Sequence, residues 1–143
     1  MGHNQQRIVF HNSPKNFSYA VYGDWLDLVA LLYGYRIKQL NYYFVSREKI
    51  VEINTSHLNH DYATDIITFD YCRQKQILGE VYVCCDVVLE NAKQLSLNVE
   101  DELRRVVVHG LLHLLGYKDK TTEEQLQMRE KENECLRMIA SNE

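Results

Sequence analysis

The sequence predicts an α/β (α+β) fold: one domain over residues 1–143, with a mixed, mostly four-stranded sheet flanked by helices. Three observations carry this expectation. Helix-periodic and strand-like stretches are interspersed along the chain, four stretches have strand character, and the single proline, Pro14, offers no linker. Hydrophobic residues at 45% and charged residues at 25% are ordinary for one packed core and argue against disorder.

Ile8 to Phe10 suit a short first strand. After an expected turn at Gly23, DWLDLVALLYG spaces Trp25, Leu28, Val29 and Leu32 as a helix face, with Gly34 as its C-terminal cap. Tyr35 to Val45 is aromatic and β-branched, which suits a strand. Ser46 is placed to cap the helix SREKIVEINTSHL, whose first acid is Glu48. ATDIITFDY and ILGEVYVCC read as strands joined by a Lys/Gln/Arg hairpin loop. Asp86 is expected to cap a helix through Leu95, and Asn98 the helix VEDELRRVVVHGLLHLL, which stops at Gly116. Thr121 has a capping-box glutamate, Glu124, three residues on, opening a charged last helix that runs to Ala140.

Composition narrows the function classes. The longest apolar run is far below the roughly 18 residues that would span a bilayer, so no membrane partner is expected. The stretch MGHNQQRIVF lacks a basic flank followed by an apolar core, and a cytoplasmic location is the expectation. A net charge of −4 argues against a strongly electrostatic nucleic-acid binder, although a local basic patch can coexist with an acidic body. Cys72, Cys84, Cys85 and Cys135 form no CxxC pair, and buried free thiols are the expected state.

Chemistry concentrates in HGLLHLLGYKDK. His109 and His113 are four residues apart, a little over one helical turn, so both lie on one face of an otherwise apolar helix. Two imidazoles there can converge on one ion, which puts a metal site at the end of a buried helix. Gly116 can adopt the left-handed conformation that reverses the chain and returns Tyr117, Lys118 and Asp119 beside the histidines. Asp119 lies ten residues past His109, the separation of first and third ligands in metzincin proteases, and is the expected third ligand. The protease reading fails at Gly110, which occupies the place of the HExxH glutamate and cannot move a proton. A glycine inside this helix suggests that another element or a substrate approaches the backbone closely.

With these residues in view, the chain resembles the YbeY family of bacterial endoribonucleases, which act in ribosomal RNA maturation. HGLLHLLGYKD matches the family motif HGxLHLxGYDH through the tyrosine, with Lys118 replacing the family aspartate and Asp119 the family's third histidine. ATDIITF resembles PTDVLSF, with Thr64, Asp65 and Phe69 matching. Asn54 corresponds to the asparagine of LNxxYR, LGE resembles LGD, and Met128 with Glu132 fits the pattern that follows the metal motif. The resemblance implies a YbeY-like metal-dependent hydrolase domain holding one Zn2+ per chain through His109, His113 and Asp119. It also implies cleavage of single-stranded RNA, 3′-end processing of 16S ribosomal RNA, and a role in ribosome assembly or quality control. Implied partners are the small ribosomal subunit and its RNA, ribosomal proteins, or an assembly GTPase.

Two departures bear on function. The family arginine of LNxxYR aligns with Leu58, which cannot touch a phosphate; Arg104, Arg105, Lys118 or Lys120 would have to supply positive charge. Arg105, one turn before His109, is the best placed of them. The exchange of histidine for Asp119 keeps three ligands but makes the site harder and more negative. The expected mechanism is metal activation of water or polarisation of the scissile phosphate, and Glu80 is the one side chain suggested as general base. Other residues carry weaker signals: His57 and His60 read as surface or loop positions, His3 and His11 carry no motif, Asp61 and Asp65 read as capping or turn acids, and the ten tyrosines read mostly as core or rim. Two alternatives stay open, a non-catalytic ribosome assembly factor with a structural metal and a metal hydrolase of a non-nucleic-acid substrate.

Overall fold

The computed structural model describes residues 7–141. Its elements follow in the order β1 (Ile8–His11), α1 (Tyr19–Leu32), β2 (Arg36–Val45), α2 (Arg47–Leu58), β3 (Ile66–Asp70), β4 (Gln76–Cys84), α3 (Cys85–Gln94), α4 (Val99–Leu114) and α5 (Thr122–Ser141). The sheet order is β1-β2-β4-β3. β2 runs parallel to both β1 and β4, while β3 and β4 pair antiparallel as a hairpin. Parallel neighbours need a crossover, and α1 supplies the one between β1 and β2. The expected mixed α/β domain is therefore the observed one.

Side chains alternate across the sheet and divide the core in two. On one face, Leu40, Tyr42, Val81 and Val83 pack against Trp25, Leu26 and Val29 of α1 and against Val107, Val108, Leu111 and Leu112 of α4. Met128, Cys135 and Ile139 of α5 complete this layer. On the other face, Ile67 and Cys84 meet Ile50 and Ile53 of α2. Two buried aromatic residues tie the layers through polar atoms: Trp25 Nε1 donates to the Cys135 carbonyl at 2.7 Å, and the Tyr42 hydroxyl donates to the Val107 carbonyl at 2.7 Å.

The seat of α4 is set by two glycines. A Cβ on Gly110 would lie 2.9 Å from Val81 Cγ1 and 3.1 Å from Ile66 Cδ1. A Cβ on Gly79 would lie 2.8 Å from Leu114 Cδ1 and 3.0 Å from the Phe69 carbonyl oxygen. The close approach suggested by Gly110 is thus that of the sheet, not of a substrate.

Several local expectations hold. Ser46 accepts from Lys49 N, Asn98 from Asp101 N, and Thr121 and Glu124 satisfy each other's backbone N–H groups. All four cysteines are free, and burial pushes the thiols of Cys72 and Cys85 up to about 11 and that of Cys135 up to about 12. Those three are protonated, unreactive thiols at neutral pH; Cys84 and Cys135 are buried as expected, whereas Cys72 and Cys85 are partly buried.

Three local expectations do not. Gly23 lies inside α1, which begins at Tyr19 because packing of Tyr22 on the core outweighs the cost of a helical glycine. The buried face of α1 is Tyr22, Trp25, Leu26, Val29 and Ala30, while Leu28 and Leu32 are 39% and 66% exposed. Asp86 is not a cap: Cys84 holds that position and Asp86 sits in the first turn, where its charge complements the helix dipole. His3 falls outside the described residues.

The glycine seat makes a paired prediction. Gly110→Ala should gain about 1 kcal/mol in helix propensity but lose more to overpacking against the stiff, fully buried Val81, for a net loss of about 1–2 kcal/mol. Gly23→Ala meets nothing within 4 Å and should stabilise by about 0.5–1 kcal/mol. Urea denaturation of the three proteins with a chelator present checks both signs.

Candidate metal centre

Arg105, His109 and His113 recur every fourth residue and form one strip along α4, which borders a cavity shared with β3. The helix ends at Gly116, whose φ of +105° lets the chain reverse. Tyr117 N donates to the Leu112 carbonyl at 3.0 Å and Gly116 N to the His113 carbonyl at 3.0 Å, the paired bonds of a Schellman turn. This turn brings Asp119 back over the histidines, and Gln125 Nε2 holds its carbonyl at 3.1 Å.

Asp119 Oδ2 lies 3.2 Å from Nε2 of both His109 and His113. One ligand atom from each residue falls within 4.8 Å of the others. The Nδ1 atoms are committed elsewhere. That of His109 lies 2.6 Å from Glu132 Oε2, and that of His113 lies 3.0 Å from the Tyr117 carbonyl oxygen. Carbonyls and ionised carboxylates only accept hydrogen bonds, so both Nδ1 atoms carry hydrogen, and each ring in its neutral form presents a lone pair on Nε2. Two lone pairs and a carboxylate oxygen aimed at one point repel unless a cation lies between them. The residues therefore fit a divalent ion held by two nitrogens and one oxygen, with a coordination position left open.

The proton affinities follow the same geometry. Burial pushes the His109 imidazole down, but the Glu132 carboxylate on Nδ1, with Asp119 and Asp65 nearby, outweighs it and leaves the group above its ordinary value. His113 moves the other way, through burial and the charge of His109. Glu132 is 5% exposed; burial raises its carboxyl, but hydrogen bonds from His109 and Arg105 hold it below the usual carboxylate range.

The three ligand residues border a cavity of about 860 Å³. Asn54, Leu58, His60, Tyr62 and Asp65 border it from α2 and the segment leading to β3; Glu102, Arg105, Lys120 and Arg129 border it from α4, α5 and the turn between them. Asp65 precedes β3 and its carboxylate accepts backbone hydrogen bonds there, as a strand-start cap does, while burial raises its carboxyl above the ordinary range beside His109. Arg105 borders the cavity, but its guanidinium is engaged, with Nη1 2.9 Å from Glu132 Oε1 and Nη2 3.0 Å from Asn133 Oδ1. Glu80 alternates with Val81, which faces α4, so it lies on the opposite side of the sheet and does not border the cavity. His57 packs edge-on against Phe69, and His11 stacks on Tyr43; neither joins the site. Glu132 and Asp65 come from separate elements, and only their match to the family pattern marked them in the sequence.

Titration with zinc against a chromophoric chelator should show one site per chain. Asp119→Ala should weaken it by more than about 100-fold, Asp119→His should retain it, and Glu132→Gln should cost about 10- to 100-fold. Affinity should fall with decreasing pH, beginning above the ordinary imidazole range because a proton on His109 competes with the ion. Equal affinity of wild type and Asp119→Ala would place the third ligand elsewhere.

Comparison with known proteins agrees with this geometry. The family model described as endoribonuclease YbeY matches residues 10–140. An endoribonuclease YbeY of Bacteroides thetaiotaomicron is 45% identical over 115 residues, covering 80% of this chain and 84% of that protein. That of Cytophaga hutchinsonii is 49% identical over 113 residues, covering 78% and 79%. A Thermotoga maritima protein of known solution structure superposes with a TM-score of 0.70 at 27% identity, over 94% of this chain and 90% of that one. Sequence, fold and the convergence of His109, His113 and Asp119 agree: the chain belongs to the YbeY endoribonuclease family.

Proposed function

We propose that this protein is a zinc-dependent endoribonuclease that cuts single-stranded RNA during ribosomal RNA maturation. The observation that carries the reading is the convergence of two Nε2 lone pairs and the Asp119 carboxylate at the edge of an open cavity. A zinc ion held there supplies Lewis acidity to a phosphodiester. Glu132 keeps the proton on His109 Nδ1, the Tyr117 carbonyl keeps that on His113 Nδ1, and Arg105 holds Glu132 in place. Burial raises Asp65, the direction required of a carboxylate that takes a proton near neutral pH. Glu80 does not border the cavity.

The acidic lining does not oppose an anionic substrate as strongly as a residue count suggests. Glu132 is paired with Arg105, and burial moves Asp65 and Glu102 toward their neutral forms. Arg129 is 3.8 Å from Glu132, and Lys120 has no ion-pair partner among the described residues, so both can meet phosphate. Family relationship supports the small ribosomal subunit as the setting, with 16S 3′-end processing as the step and ribosomal proteins or an assembly GTPase as partners. A cytoplasmic location follows from that setting; among the described residues no helix is long and apolar enough to cross a membrane.

Leu58 at the family arginine position favours a second reading, an assembly factor that binds without cutting. Incubation of the zinc-loaded chain with a single-stranded RNA decides between them. Internal cleavage is expected, lost in His113→Ala and reduced by about 100-fold or more in Asp65→Asn with zinc content unchanged. Binding without any cleavage would leave the assembly-factor reading. Casein should remain intact, because the position of the protease glutamate is Gly110, turned into the sheet.

A further inference from the structure

The cavity that holds the candidate metal ligands is also bordered by two aromatic rings from the segment between α2 and β3. His60 and Tyr62 stack there with ring centroids 5.1 Å apart and planes 13° from parallel. Both border the same cavity as His109, His113 and Asp119. Tyr62 is 53% exposed, and Leu58, which borders the same cavity, is 44% exposed. His60 covers one face of the Tyr62 ring, and the exposure of the residue leaves ring surface open. The Tyr62 hydroxyl lies 3.2 Å from His60 Nδ1, which fixes the two rings against each other.

The segment that carries these rings is built. Asn59 takes a left-handed conformation with φ of +59°, ending α2, and His60 N donates to the Asn54 carbonyl at 3.1 Å. Asn54, only 1% exposed, donates through Nδ2 to the Tyr62 carbonyl at 2.9 Å and to Thr64 Oγ1 at 3.2 Å. The Thr55 hydroxyl, which donates to the Val51 carbonyl at 2.8 Å, lies 3.2 Å from the His60 carbonyl oxygen. A buried amide from the helix thus holds in place a pair of exposed rings on the wall of the metal cavity. That is costly to order for no contact, and useful if a planar group docks.

We propose that the His60–Tyr62 pair is a nucleobase-stacking subsite for a nucleotide flanking the bond that is cut. It rests on the RNA-cleaving reading above and adds where the substrate is gripped. Lys120 and Arg129, which border the same cavity, meet the phosphates, and the ring pair takes one unpaired base. Every base has a π-face, so the subsite is tolerant of sequence and selects for single strands, whose bases are free to stack. Leu58 fits the same picture, since an apolar side chain supports a ring better than a phosphate.

The test uses the zinc-loaded full chain and a short 2′-O-methyl single-stranded RNA, verified intact by gel after each titration, with binding read by fluorescence anisotropy. Tyr62→Ala should weaken binding by about 5- to 100-fold, whereas Tyr62→Phe should stay within about twofold because the ring remains. Tyr19→Ala, an exposed tyrosine on α1, should bind as wild type. One abasic position along the oligonucleotide should cost wild type as much as Tyr62→Ala does, and should cost Tyr62→Ala little more. Wild-type affinity in Tyr62→Ala overturns the subsite while the RNA reading stands. No binding of any single-stranded RNA by wild type overturns both.

Discussion

Helix α4 lies on the sheet at a distance that only glycine permits, and the candidate metal centre depends on that seat. Gly110 meets Val81 and Ile66, and Gly79 meets Leu114, so the helix is buried along most of its circumference. What remains is the strip of Arg105, His109 and His113, partly exposed along the cavity. A residue with a Cβ at Gly110 would lift the helix and carry both histidines with it. The site is therefore built on a packed element, with only Asp119 contributed by the turn that follows.

Electrostatics then narrows what can sit between the ligands. Both histidines spend Nδ1 on acceptors, one a buried carboxylate from α5 and the other the chain's own carbonyl just past Gly116. The two Nε2 atoms and Asp119 are left as mutually repelling acceptors that only a proton or a metal ion reconciles. The opposite directions of the His109 and His113 proton affinities express the same frustration, since one imidazole takes up a proton more readily when its neighbour does not. Arg105 extends the chain of contacts to Glu132, so a residue that resembles a substrate-binding cation serves the ligand geometry.

Much of this was legible from spacing. The four-residue interval of the histidines, the glycine reversal and the ten-residue step to Asp119 are local features, and local backbone geometry turns them into a site without help from distant sequence. Caps at Ser46, Asn98 and Thr121 were legible for the same reason. The start of α1 was not, because Ser18 makes no side-chain cap bond and the helix is held by what Tyr22 and Trp25 bury. The role of Glu132 depends on how α5 crosses α4, and that of Asp65 on burial at the start of β3; neither has a periodic signature. Glu80 shows the converse, since a motif match in sequence placed it near chemistry while the pleat of β4 turned it to the other face.

The central claim is that His109, His113 and Asp119 hold one metal ion. Anomalous diffraction at the zinc absorption edge, from crystals of the chain purified without added metal or soaked in zinc, addresses it directly. The account predicts one strong peak per chain, about 2.0–2.2 Å from Nε2 of both histidines and from an Asp119 carboxylate oxygen. A peak ligated by other residues, or none after soaking, would contradict it.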